Sequence, residues 1–375
     1  MGHFELSRAI RFALSLVLVA IGWSETARAA DSAGAVYTMT NAATANAIIA
    51  YARAADGTLT PNGTYPTGGK GTGMPRLGSQ GSVVLTEDHR WLLVTNPGSD
   101  DLSVFAVRSD GTLQLTDREP SNGDRPESVT VHDGLVFVLN TGTPNNISGF
   151  TLDRRGRLTP LPGTRRSLSQ EGALPAEVQF SPDGNTLVVT ERNTSLIDTF
   201  RISHAGRPSG VMSHQSSGVG PFGFAFRRDG VFVVTESFDG APGQAAASSY
   251  SLEGHHRFEL ISGTVRDTQS DVCWTVITKD GNYAYVTNNG SGTISSYTID
   301  EDGKITLLEP VAAVTGGSGG FGTRDAALDG SGAFLYAIDV GTLTMNAFRV
   351  HADGSLTTVA VYGGLPPTVA GTAAF

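Results

Sequence analysis

The phrase YAYVTN at 283–288 has six relatives elsewhere in the chain. They read VYTMTN (36–41), WLLVTN (91–96), LVFVLN (135–140), TLVVTE (186–191), VFVVTE (231–236) and FLYAID (334–339). Each is a short β-rich run closed by a polar residue. Those closing residues are Asn41, Asn96, Asn140, Glu191, Glu236, Asn288 and Asp339, spaced 44 to 55 positions apart. Self-similarity at such a period marks a repeat architecture, in which one supersecondary unit buries its apolar faces against the next.

Outward from this phrase, every unit has the same order. A short strand such as AEVQF (176–180) meets a tight turn, SPDG (181–184), and the recurring strand follows. A third strand (LSVFAV, ISGFTL, IDTFRI, SSYSL, ISSYTI or MNAFRV) comes after a loop. A second polar turn such as SDGT, EDGK or ADGS leads to a fourth strand, LQLTD, LTPLP, ITLLE or LTTVA. Asp-Gly between alternating β-branched runs is a hairpin signal, because glycine accepts positive φ. Four antiparallel strands repeated seven times predict an all-β fold, a seven-bladed β-propeller. The C-terminal TVAGTAAF (368–375) reads as the missing first strand of the N-terminal unit, so its pairing there closes the ring and removes two exposed sheet edges.

The remaining composition narrows the function. Glycine supplies 47 of 375 residues, far above ordinary usage and without a collagen period. Net charge is −10 and the lysines are Lys70, Lys279 and Lys304, so no basic stripe exists to follow a nucleic-acid backbone. Arg8 and Arg11 precede the apolar run FALSLVLVAIGW (12–23), and Ala27-Arg28-Ala29 fits a small-x-small cleavage site. Residues 1–29 therefore read as a secretory leader, too short to span a membrane. The expected mature protein is residues 30–375, one propeller domain, periplasmic or extracellular, with no membrane attachment after cleavage. Cys273, the one cysteine, sits in apolar DVCWTVIT with no histidine within ten residues, and reads as a structural thiol.

Antiparallel pairing places the ends of the second strands beside the starts of the first. The seven closing residues thus form a polar ring on one face, next to Ser82, Ser128, Glu177, Gly223, Trp274, Asp325 and Thr372. The Asp-Gly turns occupy the opposite face. Asparagine after a strand commonly bonds turn backbone, so the charged departures Glu177, Glu191, Glu236, Asp325 and Asp339 carry more information. Arg192 follows Glu191, Arg324 precedes Asp325, and Arg76 and Arg125 lie in the connectors entering two blades. Two long loops belong to this face, PTGGKGTGMPRLGSQG (66–81) and SFDGAPGQAAASS (237–249); the first lacks Walker spacing for a phosphate cradle. Of the histidines, His89 and His132 fall at far-face turns, and His204, His255, His256 and His351 fall at the outer rim. His214 lies on an outer strand. Adjacent His255 and His256 point opposite ways on a strand and make no metal pair.

The segments AEVQFSPDGNTLVVTERNTSLIDTFRI (176–202), PFGFAFRRDG (221–230) and YAYVTNNGSGTISSYTIDEDGKITLLE (283–309) resemble lactonase-family seven-bladed propellers. That group includes 6-phosphogluconolactonase and carboxy-cis,cis-muconate cyclase. Tyr285-Val286-Thr287-Asn288 is also similar to YVTN-type surface propellers, and the whole chain resembles secreted proteins of the 3-carboxymuconate cyclase-like kind. The resemblance implies action on a small carboxylated lactone or its open-chain acid by acid/base catalysis, without a cofactor. The family's His-x-His at an inner-strand start has no counterpart at Gly81-Ser82, Glu127-Ser128, Ala176-Glu177, Cys273-Trp274 or Arg324-Asp325. Its Asn-Arg after a second strand corresponds to Glu191-Arg192, which makes Arg192 the residue carried over.

Two functions therefore compete, with a third behind them. In a secreted lactone hydrolase or cyclase, Glu191 and Glu236 are the candidate acid/base groups. Arg192, Arg324, Asp325, Glu177, Asn140, Asn288 and Asp339 are then the candidate substrate contacts, arginine binding carboxylate in bidentate fashion. A non-catalytic propeller at the cell envelope would use the same face to hold a protein partner. A cation held by Glu191, Glu236 and Asp339 is the third reading, but no compact ligand motif supports it and no metal is expected.

Overall fold

The computed structural model describes residues 1–2, 33–75, 77–253 and 257–375. The leader from residue 3 onward, Arg76, His255 and His256 lie outside them. Seven antiparallel sheets make up the described chain. Blade 1 is Gly34–Met39, Ala47–Arg53 and Leu59–Pro66, with Ala370–Ala374 as its inner strand. Blade 2 runs from Val83–Leu85 to Leu113–Pro120, and blade 3 from Pro126–His132 to an outer edge split into Leu158–Pro160 and Arg166–Ser167. Blades 4 to 7 begin at Pro175–Phe180, Pro221–Phe226, Val272–Ile277 and Thr323–Leu328. Their outer strands are Met212–Gln215, Arg257–Arg266, Ile305–Val314 and Leu356–Gly363.

Ring closure follows the expected route. Thr38 pairs Thr372 and Tyr37 pairs Ala373, so the last strand completes the first blade. Each inner strand touches the next around the ring, including Thr323–Leu328 against Ala370–Ala374 and Ala370–Ala374 against Val83–Leu85. The seven inner strands thus surround one axis.

Side-chain alternation explains how blades stack. Residues on opposite faces of a strand point to opposite neighbours. Tyr37 and Met39 pack with Leu92 and Val94 between blades 1 and 2. Val36 packs instead with Tyr336 and Ile338 between blades 7 and 1. The same arrangement recurs at the other interfaces, for example Val188 and Phe232 between blades 4 and 5. Tyrosine hydroxyls add a tie: Tyr37, Tyr285 and Tyr336 donate to the carbonyls of Gly111, Gly354 and Gly57 in the following blade. Burial of one such aromatic ring contributes roughly 1.5–3 kcal/mol.

The hairpin turns take the conformation their sequence demands. In Ser181–Gly184, Asp183 Oδ1 accepts from the Asn185 N–H at 3.1 Å and Gly184 holds φ 70°.

Candidate functional site

Strand register brings the two rows of residues read from the sequence to one end. Pro126 pairs Asn140, Pro175 pairs Glu191, Pro221 pairs Glu236, Val272 pairs Asn288 and Thr323 pairs Asp339. The rows then divide by depth. The second strand lies one strand away from the axis, and its closing side chains are fully buried inside their own blades.

There they hold loops and outer strands. Asn140 Nδ2 donates to Asn146 Oδ1 at 3.0 Å, and Asn288 Nδ2 donates to Ser295 Oγ at 2.8 Å. Glu191 accepts from Ser169 Oγ and Thr194 Oγ1 at 3.1 and 2.6 Å. Glu236 accepts from the Gly218 N–H and Ser248 Oγ at 2.7 and 2.6 Å. Asp339 accepts from the N–H groups of Gly317, Gly341 and Thr342, each at 2.9 Å. Burial lifts Glu236 above its ordinary value. Burial also lifts Glu191, to about 7, and neighbouring Asp198 adds to the shift. Glu191, Glu236 and Asp339 stand on three blades, and no group of three or more metal-ligating His, Cys, Asp or Glu side chains occurs among the described residues.

Four sequence candidates do converge on the axis: Arg192, Arg324, Glu177 and Asp325. Arg324 is 5% exposed, with its guanidinium 5.3 Å from the Trp274 ring centroid. Arg192 lies 4.6 Å from the Phe222 ring centroid. Phe222 and Trp274 pack with Ala176 and Cys273 in a small apolar cluster shared by the inner strands of blades 4, 5 and 6. Burial lowers the Arg192 pKa, Cys273 and Glu127 oppose this, and Arg324 adds a smaller push downward. Arg324 donates to Asn289 Oδ1 and Leu77 O, and Arg192 to Leu174 O. Neither pairs with a carboxylate among the described residues, whereas nearby Arg125 is neutralised by Glu127 at 2.5 Å. Carboxylates act on both from beyond ion-pair distance, Glu127 and Asp271 on Arg192 and Asp325 on Arg324. Guanidinium groups in such a setting suit an anionic group of a ligand.

Glu177 and Asp325 line one axial cavity of about 240 Å³. Glu177 Oε2 accepts from the Phe224 N–H at 2.7 Å. Burial raises Glu177 well above the ordinary carboxylate value, and Asp325 adds to the rise. Burial also pushes Asp325 up to about 6, against the opposing Gly371 N–H and Arg324. The cavity thus holds two carboxyl groups whose proton affinities are both raised.

The glycine-rich connector closes this end of the axis. Asn41 grips it by donating to Thr72 Oγ1 and accepting from the Thr72 N–H, at 2.9 and 2.8 Å. Further on, Leu77 is buried and Gly78 packs against the Arg192 guanidinium. Gln80 then reaches across the axis, donating to Thr275 O and accepting from Thr275 N–H at 3.1 and 3.2 Å. The sequence marked this loop as long and placed Trp274 among the inner-strand starts, but did not single out Leu77, Gln80 or Phe222. Their roles depend on contacts between distant blades. The other long loop, read as 237–249, ends sooner, because Ala246–Glu253 is strand; the loop holds one 3-10 turn, Phe238–Gly240, with Arg266 stacked 4.4 Å from Phe238. His214 stays on its outer strand, stacked on Phe258 at 4.0 Å.

Comparison with known proteins agrees with this architecture. The chain is 20% identical over 317 residues to a 6-phosphogluconolactonase of Yersinia pestis (strain Pestoides F), covering 84% of this chain and 77% of the relative. The structure of a Pseudomonas aeruginosa periplasmic gluconolactonase superposes with TM-score 0.68 at 18% identity, covering 89% of this chain and 98% of that one. A Lactobacillus plantarum protein superposes with TM-score 0.67 at 18% identity, over 91% and 99% of the two chains. Matches to the family model "Lactonase, 7-bladed beta-propeller" span residues 31–168, 148–240 and 229–372, and the chain belongs to that lactonase family.

Proposed function

We propose that this propeller binds a small carboxylated or phosphorylated lactone, or its open-chain acid, at the connector end of the axis. The observation that carries the reading is the pair of stacked guanidiniums, Arg192 and Arg324, left without carboxylate partners beside two channel carboxyls. The arginines take the anionic group of the ligand. In hydrolysis, ionised Asp325 removes a proton from water as its oxygen attacks the lactone carbonyl. Protonated Glu177 then gives its proton to the ring oxygen as the C–O bond breaks. Return of the proton from Asp325 to Glu177 restores the pair, and the product is the hydroxy acid. The reverse sequence is ring closure.

The leader read at residues 1–29 supports a periplasmic or extracellular setting for this chemistry. One observation favours the non-catalytic alternative, a binding propeller with a ligand or envelope partner but no turnover. Leu77–Gln80 covers the arginines and the cavity, so turnover requires this segment to lift.

A panel of lactones with and without a second anionic group separates the readings. The enzyme reading expects turnover that prefers the anionic members. It also expects Arg192→Ala to raise KM and Asp325→Asn to lower kcat. Binding of the open-chain acids with no turnover of any lactone would establish the alternative.

A further inference from the structure

The opposite end of the axis carries a second cavity, of about 550 Å³, where the inner strands meet the Asp-Gly turns. It shares Gln80, Val84, Thr130, Gln179 and Leu328 with the carboxyl-lined cavity, so the axial space closed by the connector continues to this face. Its wall is supplied by several blades: Val84, Val131, Phe180, Phe226, Ile277 and Leu328. Apart from Phe180, these side chains are only half-buried, although each also packs into an interface between blades. Charge is confined to the rim, where Glu87 and Arg228 are exposed.

The polar atoms inside are unbalanced. Thr275 is 1% exposed, and its Oγ1 has no hydrogen-bond partner. Gln179 Oε1 is likewise buried and unpartnered. Both residues line the cavity. Buried polar groups are normally satisfied. Water entering from the open rim can meet these two atoms, but it leaves the half-buried apolar side chains of Phe226, Ile277 and Leu328 against solvent. A molecule that is apolar along its length and donates a hydrogen bond at its inner end satisfies both requirements. The volume falls within the roughly 300–1,000 Å³ of ordinary small-molecule sites.

We propose that this far-face cavity is a binding site for a small, mainly apolar alcohol, phenol or amide. Its donor meets Gln179 Oε1 or Thr275 Oγ1, and its apolar body lies against Phe226, Ile277 and Leu328. The site is separate from the arginine pair, and it stands whether or not the chain turns over lactones.

Fluorescence titration of the full chain with 2-naphthol tests this, with 2-methoxynaphthalene as the matched probe lacking a donor. The expected result is saturable binding of one 2-naphthol per chain, at least tenfold weaker for the methyl ether. A site built around an unmet hydrogen bond rejects the analogue that cannot make it. Leu328→Glu and Ile277→Glu, each checked for native circular dichroism, should abolish binding. Val314→Ser, which removes an exposed apolar side chain on an outer strand, should leave it unchanged. No saturable binding, equal affinity for the two probes, or full binding in a folded Leu328→Glu chain would overturn the proposal. Loss of binding in Val314→Ser would also overturn it.

Discussion

A Cβ on Gly223 would stand 2.2 Å from Gln80 Oε1, so the absence of a side chain in blade 5 makes room for a residue from the connector ahead of blade 2. The same Cβ would lie 2.8 Å from the Cys273 carbonyl. Gly223→Ala therefore strains both the plug and the contact with blade 6, at a cost of about 1–3 kcal/mol. Gln80→Ala strands the buried Thr275 N–H and costs about 1–3 kcal/mol by itself. Because Gln80→Ala also removes the shortest of these clashes, the double variant should be more stable than the sum of the singles implies. Urea denaturation of the four chains measures the coupling, and simple additivity would show that Gln80 does not fill this position.

Asp325 gives the fold an unusual pH dependence. In the folded chain it keeps its proton up to about pH 6, against 3.8 as the ordinary value. Folding therefore takes up a proton between those values, and the contribution of Asp325 to stability falls as pH rises through that window. Above pH 6 the full cost is present, about 2–3 kcal/mol. Asp325→Asn should be more stable than the parent at pH 8, with the advantage shrinking as pH falls toward 4. Melting curves at pH 4, 6 and 8 check this. A variant less stable at pH 8 than at pH 4, relative to the parent, would contradict it.

Burial raises the Cys273 thiol far above its ordinary value, and Asp271 adds to the rise despite the two nearby arginines. Thiolate is the reactive form. Native protein at pH 8 should resist a thiol-specific disulfide reagent for hours, while urea-unfolded protein reacts within minutes. Rapid labelling of the native chain would mean that the apolar cluster of Ala176, Phe222 and Trp274 opens readily.

Glu236 is predicted to matter through its hydrogen bonds. Glu236→Ala leaves the Gly218 N–H without its acceptor and takes one of two partners from the Ser248 hydroxyl. The expected loss is about 1–3 kcal/mol. Glu236→Gln retains an acceptor and avoids a buried charge, so its stability at pH 8 should match or exceed the parent. Denaturation midpoints of the two variants decide the point, and equal losses would argue against it.

Much of the fold was legible because the repeat is local. The strand from Thr186 to Glu191 looks like that from Tyr283 to Asn288, and pairing then follows from antiparallel geometry. Face assignment was legible for the same reason, since register alone brings Glu191 to Pro175. Depth was harder to read. Whether a closing residue meets the axis depends on which strand carries it, and Glu191, Asn288 and Asp339 sit one strand out. Inner-strand Glu177 and Asp325 do reach the axis. The plug was not legible, because Gln80 and Thr275 are 195 positions apart and nothing local in GSQG announces that contact.

If Arg192 and Arg324 together hold one anion, affinity for an acidic ligand depends on both side chains. Calorimetric titration of 6-phosphogluconate, an open-chain acid with two anionic groups, into the parent, Arg192→Ala and Arg324→Ala chains tests it most directly. Loss of one partner from a buried charged contact costs about 2–5 kcal/mol. Measurable binding to the parent is expected, weakened at least thirtyfold in each variant and suppressed by salt. No binding to the parent, or unchanged affinity in both folded variants, would contradict it.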